Sequence, residues 1–327
     1  EFISKLGIDT LLEKAFKTND PALFRYHSDP KKLLQMIYMI IAGYFEDDAS
    51  DELTNDPVFK SVLEKDALAS QPTVSRFFNR MDEDTLNQFL AIARVLRRKI
   101  YSIQMPQAVI LDLDSTLLDA YGKQEGRAFN FHYQSNGYHP LVCYDGMTGD
   151  LIKVQLRDGT QYSCTGVVDF LQPVLAEYLH DYPEIPILLR GDSGFSTPDL
   201  YKQCEENGTS YLIKFYCKRG LMENFIKESK SGFDFASVSS YTKIVNANRL
   251  QVHALAYNIF NWFRRLALSA NMRKQRIDTV RLKLLKIAAK VVHSARYITF
   301  KLCSSCPYKN EFYETLSNIG KLNVQLE

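Results

Sequence analysis

The chain has little of what marks several protein classes. Six cysteines, Cys143, Cys164, Cys204, Cys217, Cys303 and Cys306, are scattered over 327 residues, far below the density of a small disulfide scaffold, and they suit a reducing compartment. No run of about 18 uncharged apolar residues occurs, so no membrane-spanning helix is expected. The opening EFISKLGIDT lacks the basic-then-apolar order of a secretory leader, and the cytosol is the expected compartment. There is no internal repeat and no low-complexity tract. The first residue is Glu1 rather than Met, which points to a beginning that has been lost or trimmed. Only Cys303-Ser-Ser-Cys306 has the spacing of a metal-ligand pair, and without a second pair nearby it reads as two ordinary thiols.

What is present is enough apolar sequence, 46% of the residues, to bury a full core in two or three structural units. A formal net charge of +2 conceals a segregated distribution. Residues 45–66 carry Glu46, Asp47, Asp48, Asp51, Glu52, Asp56, Glu64 and Asp66 against Lys60 and Lys65. Between 261 and 310, twelve basic residues face one acid, Asp278. Such a stretch is what a polyanion-binding surface looks like, and equally what a solvated helical face looks like.

Residues 4–104 read as helices, because apolar residues recur at helical spacing in LLEKAF, KKLLQMIYMIIAGYF and TLNQFLAIARVL between Asp, Pro and Gly breakers. Within them Gln71-Pro72-Thr73-Val74-Ser75-Arg76-Phe77-Phe78-Asn79-Arg80 starts at a proline. It turns Val74, Phe77 and Phe78 inward and Arg76 and Arg80 outward. The string suits a recognition helix on DNA, and an ordinary amphipathic helix gives it too. From Met105 the texture changes to short β-branched runs, AVILDLDST, YHPLVCYDG, LIKVQLRDG and IPILLRGDSG, which read as strands, with helices at 167–180 and 198–207. Strands and helices therefore mix as in an α/β fold. From about 220 to 300 the pattern reads as helical again, including RLQVHALAYNIFNWFRRLAL and TVRLKLLKIAAKVVHSARYITFKL.

The chemistry is carried by acids. In Val109-Ile110-Leu111-Asp112-Leu113-Asp114-Ser115-Thr116 a strand ends in two carboxylates on one face. A second apolar strand ends at Arg190-Gly191-Asp192-Ser193-Gly194-Phe195. Acids at the ends of neighbouring strands hold hard divalent cations, and also cap turns. Asp112-Leu113-Asp114-Ser115-Thr116 also resembles the nucleophile loop of haloacid-dehalogenase-type phosphatases, in which Asp112 would attack phosphorus. Those enzymes need a second acid after Gly191-Asp192 with three or four residues between, where Ser196 and Thr197 stand. That rival fails at this position.

A third element separates the readings. In FYCKRGLMENFIKESK, Tyr216, Arg219, Glu223 and Lys230 follow the two strand-end acids, with Arg219, Glu223, Lys227 and Lys230 near one helix face. Here the chain resembles the DDE transposases of bacterial insertion sequences that carry a Tyr-Arg-Glu-Lys signature. Asp114, Asp192 and Glu223 match that group's three acids, and Gln124-Glu125-Gly126 and Asn136-Gly137-Tyr138-His139-Pro140 also look like it. The resemblance implies a ribonuclease-H-like catalytic core and two Mg²⁺ ions, for which Mn²⁺ can substitute. The three acids would be their ligands, Asp114 bridging both ions, and would carry the catalysis. Asp112 reads as an acid behind the metal ligands or a structural one, with the structural reading preferred. Tyr216, Arg219 and Lys230 would grip transposon-end phosphates, alongside Arg76 and Arg80 of the earlier helix. The expected partners are transposon-end and target DNA and a second copy of the chain, in a bacterial cytosol at the nucleoid.

The implied organisation is a helical DNA-binding region over 1–104, the catalytic core over 105–260 and a basic helical region over 261–327. The implied activity is cutting at the terminal inverted repeats of the element and transfer of its 3′ ends to target DNA. Members of the group usually carry a β-rich insertion before the Tyr-Arg-Glu-Lys helix, yet Tyr211-Leu212-Ile213-Lys214 runs straight into Phe215-Tyr216, and Asp192 and Glu223 lie 31 positions apart. Either the insertion was deleted, giving a shortened copy, or this member never had it; with the first comes the alternative of a catalytically inactive remnant that only binds transposon ends.

Overall fold

The computed structural model describes residues 1–22, 24–214, 220–294 and 297–322. The chain divides into two compact units, one of Ile100–Ser231 and Phe235–Ala254, the other of Glu1–Lys99, Gly232–Asp234 and Leu255–Glu327. The N-terminal elements are α1 (Phe2–Lys5), α2 (Ile8–Ala15), α3 (Asp29–Ala42), α4 (Ala49–Glu52), α5 (Pro57–Leu63), α6 (Gln71–Phe78) and α7 (Glu83–Ile103). Their starts follow local chemistry. At α5 the Asp56 side chain accepts from the amides of Val58 and Phe59 ahead of a proline in the first turn, which satisfies donors the helix itself cannot. In α6, Val74, Phe77 and Phe78 are buried, as their spacing predicts.

The next stretch comprises β1 (Val109–Ser115), β2 (Leu118–Asp119), β3 (Ala128–Asn130), β4 (Ser135–Tyr138), β5 (Leu141–Asp145), β6 (Leu151–Gln155), α8 (Val167–Asp181), β7 (Ile187–Asp192), α9 (Pro198–Glu206), β8 (Ser210–Lys214) and α10 (Gly220–Gly232). Five of these strands form one sheet in the order β6-β5-β1-β7-β8. The first three run antiparallel, and β7 and β8 continue parallel to β1. The parallel steps are bridged by α8 and α9, since a parallel neighbour cannot be reached through a tight turn. Three antiparallel strands extended by two parallel ones, with helical crossovers, is the ribonuclease-H-like arrangement, and the class is α/β as expected. The short strands β2, β4 and β3 form a separate three-stranded sheet that no sequence pattern indicated.

β1 is central, so Leu111 and Leu113 are fully buried. The two family-like motifs meet beside this sheet: the Tyr138 hydroxyl donates to the Glu125 carbonyl at 2.7 Å and accepts from the Asn246 amide at 3.1 Å. Asn246 lies on α11 (Lys243–Leu266), whose residues are divided between the two units at 254/255.

The remaining elements are α12 (Ala270–Arg273), α13 (Ile277–Val280), β9 (Ala289–His293), β10 (Ile298–Leu302) and α14 (Lys309–Lys321). The helical reading of 220–300 is corrected here. β9 and β10 form an antiparallel hairpin, because Val291, Val292, Ile298, Thr299 and Phe300 favour extended backbone and alternate apolar with polar across it.

The basic C-terminal stretch also divides. Arg281 is buried, and its guanidinium donates to the carbonyls of Ile40, Ile41 and Gly232 at 2.7–2.8 Å and pairs with Asp278 at 2.8 Å. Ile40 and Ile41 lie in the last turn of α3, where the helix leaves its carbonyls short of partners; the Ile40 carbonyl also accepts from the capping Gly43 amide at 3.1 Å. A Cβ at Gly43, which has φ +94°, would come within 3.3 Å of Arg281 Nε, so this helix end closes on a residue without one. Arg273 likewise donates to the Leu268 carbonyl. These two arginines are engaged within the chain. Arg281→Met should therefore cost roughly 3 kcal/mol by stranding buried carbonyls, seen as a lower urea midpoint for the helical unit. An unchanged midpoint would contradict the capping role.

Candidate active site

The acids of β1 have different fates. Asp112 is fully buried and receives a two-pronged ion pair from the Arg190 guanidinium across the parallel β1–β7 register. A buried carboxylate requires such compensation. A Cβ at Gly146 would come within 2.5 Å of Asp112 Oδ2 and 3.0 Å of Arg190 Nη2, so the turn after β5 closes over the pair only with glycine there. Asp112 is structural, as its sequence reading had it, and a nucleophilic role of the phosphatase kind has no room.

Two residues further along each strand stand Asp114 and Asp192, both half-buried at the same edge of the sheet. Asp114 accepts from the Ser115 amide at 2.8 Å, and Asp192 from the Gly194 amide at 2.8 Å. The Ser115 hydroxyl meets that of Ser163 at 2.8 Å, and a Cβ at Gly194 would come 3.3 Å from Ser163 Cβ. One serine thus touches both acid-bearing loops. Tyr133 reads the field between them. Its phenol donates to the Ser115 carbonyl at 3.2 Å, and its pKa is pushed up to about 12, by burial first and then by the charges of Asp114 and Asp192.

Glu223 comes from α10, whose docking is fixed by three contacts. Tyr144 on β5 hydrogen-bonds Ser229 at 2.7 Å and lies against the Phe225 ring. The Lys230 ammonium donates to the Leu117 carbonyl, just beyond β1, at 2.7 Å, and burial lowers its pKa. A cavity of about 390 Å³ results, lined by Asp114, Ser115, Thr116, Tyr133, Glu223, Lys227 and Lys230 among others. Asp114 and Glu223 face one space.

Among the described residues no three His, Cys, Asp or Glu side chains converge as a metal-holding group. The donor set itself fits a hard divalent cation: oxygen donors, two carboxylates among hydroxyls, with no thiolate or imidazole among the cavity residues. Of the other candidates, Arg76 is exposed on α6. The Arg80 guanidinium is held by Asp29 at 3.0 Å, Asp20 at 3.3 Å and the Thr18 hydroxyl. Tyr216 and Arg219 lie outside the described residues. Sequence reasoning missed Tyr133 and Ser163, which stand in no motif, and Arg190, whose position opposite Asp112 follows only from strand register.

The chain matches the family described as "Transposase DDE domain group 1" over residues 1–215 and 212–324. It belongs to that transposase family. The family is one of DDE transposases, a class of enzymes that work with divalent metal ions. The transposase is also similar to solved structures. The piggyBac transposase synaptic complex with hairpin DNA shares 14% identity over 65% of this chain and 47% of that one, TM-score 0.29. The catalytic domain of Mos1 mariner transposase shares 10% over 60% and 97%, TM-score 0.27. The Mos1 mariner paired end complex with Mn shares 12% over 83% and 94%, TM-score 0.25. The chain thus spans about half the length of the piggyBac chain it matches. No curated protein matches it. No helix among the described residues of the transposase is long and apolar enough to cross a membrane.

The two kinds of acid in this transposase should separate in stability. Asp112→Asn leaves Arg190 without its counter-charge and should cost about 3 kcal/mol or more. Asp114→Asn or Asp192→Asn removes one of two neighbouring like charges and should leave thermal stability in metal-free buffer unchanged or raised. Equal losses in all three variants would contradict this division.

Proposed function

We propose that this transposase cuts DNA at the terminal inverted repeats of its own element and joins the resulting 3′ ends to target DNA, with Asp114, Asp192 and Glu223 as its metal ligands. The observation that carries the reading is that Asp114 and Glu223, from a strand end and a separate helix, line one cavity, with Asp192 at the neighbouring strand end. Two Mg²⁺ ions bound there, or Mn²⁺ in their place, would supply activation of a water or 3′-hydroxyl and stabilisation of the leaving oxygen. The chain's own residues hold the site in shape. Asp114 and Asp192 present oxygens from adjacent strands, Glu223 presents its own from α10, and Lys230 ties that helix to the end of β1.

Lys227 lines the cavity and would meet the scissile strand's phosphates as a point charge. Tyr216, Arg219 and Lys230 belong to the same proposed grip. Further contacts would come from the helical region 1–104, where the exposure of Arg76 makes it the stronger candidate; Arg80 is engaged with Asp20 and Asp29. Under this reading 105–260 is the catalytic region and 261–327 a basic auxiliary one. Joining two element ends calls for two copies of the chain, acting on DNA in a bacterial cytosol.

A second reading is a remnant that binds element ends without cutting them. It is favoured by the family match, which comes in two stretches meeting at 212–215, where the sequence passes directly from Lys214 to Phe215. A segment removed there would divide a match in this way. The discriminating experiment is Mg²⁺-dependent nicking of a labelled duplex carrying the element's end. Asp114→Asn, Asp192→Asn and Glu223→Gln should each lose activity by on the order of a thousandfold or more while still binding the duplex. Binding without nicking by the unaltered chain would establish the remnant, and variants that nick as well as the unaltered chain would remove the three acids from the mechanism.

A further inference from the structure

The β9–β10 hairpin carries a charge arrangement that folding alone does not favour. In its register Lys290 stands directly opposite Lys301, flanked on the same face by the Val292–Thr299 pair. The other face carries Ala289–Leu302, Val291–Phe300 and His293–Ile298, of which Val291, Phe300 and Leu302 are half-buried. Both lysines are exposed. Directly opposed residues in an antiparallel pair have Cβ atoms roughly 4.5–5.5 Å apart, and like charges there are destabilising. A two-stranded ribbon is marginal on its own and has little stability to lose. No acid relieves the pair locally, since residues 279–310 contain no Asp or Glu.

We propose that this hairpin is a grip for the sugar-phosphate backbone of duplex DNA, with Lys290 and Lys301 as a paired phosphate contact outside the carboxylate site. The proposal rests on the transposase reading and adds to it a place where the DNA is held. A polyanion converts the repulsion between the lysines into shared attraction. A two-stranded ribbon also has the width to lie along the major groove, which admits such an element. The contact is with phosphates, so it acts on any sequence alike.

The test is fluorescence anisotropy of the full chain on a duplex of about 30 base pairs of arbitrary sequence, titrated from about 50 to 200 mM salt. The double variant Lys290→Gln, Lys301→Gln should bind more weakly, and its plot of log affinity against log salt should be shallower by about 1 to 2, the change for one or two lost phosphate contacts. A charge-matched control, Lys123→Gln with Lys202→Gln, both exposed elsewhere in the chain, should keep the parent slope. Lys301→Glu gives a readout that a purely structural pair would not: it creates a cross-strand attraction with Lys290, so thermal stability should hold or rise while DNA affinity falls about as far as in the double glutamine variant, since both remove two positive charges from the hairpin. If the hairpin variants match the parent in affinity and slope, the grip is wrong and the transposase reading stands. If the parent itself shows no salt-dependent duplex binding, both fall together.

Discussion

The buried pair between Asp112 and Arg190 is the constraint on which the site depends. A carboxylate at the centre of a sheet is tolerable only with a matched counter-charge, and the match joins β1 to β7 at one residue pair. A slip of one residue would send every side chain of the strand to the opposite face. Holding Asp112 against Arg190 therefore also sets where the strands end, with Asp114 and Asp192 emerging two residues later at a common edge. Glycine at 146 lets the neighbouring turn close over the pair. The two strand-end carboxylates inherit their alignment from the buried one.

The third acid arrives by a different route and is held by different forces. Glu223 sits on α10, which docks through Tyr144 and Phe225 against β5 and is drawn toward the end of β1 by Lys230. The lysine expected only to touch DNA thus also serves as a structural tie. Around the two strand-end acids, Ser115, Ser163 and Tyr133 form a small hydrogen-bonded rim. Tyr133, kept neutral by burial and by two nearby negative charges, can donate a hydrogen bond there at any ordinary pH.

Much of this was legible in the sequence because it follows local rules. The runs AVILDLDST, YHPLVCYDG, LIKVQLRDG and IPILLRGDSG became β1, β5, β6 and β7, and the helical spacings at 167–180 and 198–207 became α8 and α9. What was not legible depends on partners distant in sequence. Nothing near Asp112 announces Arg190, and nothing near Arg281 announces the end of α3 that it caps. The same basic residues that suggested a charged face separate into Arg281, which is directed inward, and those exposed, such as Lys290 and Lys301. The segment 289–302 read as helical because short apolar runs fit either period. Its β-branched residues and cross-strand pairing decided for a hairpin.

In the proposed site Asp114, Asp192 and Glu223 surround one metal-binding centre although they come from three separate elements. Metal-directed cleavage of the polypeptide tests this most directly, with Fe²⁺ loaded into the intact protein and ascorbate and peroxide added to generate hydroxyl radicals at the bound ion. Backbone cuts should cluster near all three residues and be suppressed together by Mg²⁺ or by Asp192→Asn. Cuts at only one of the three, or at sites elsewhere that Mg²⁺ does not suppress, would contradict it.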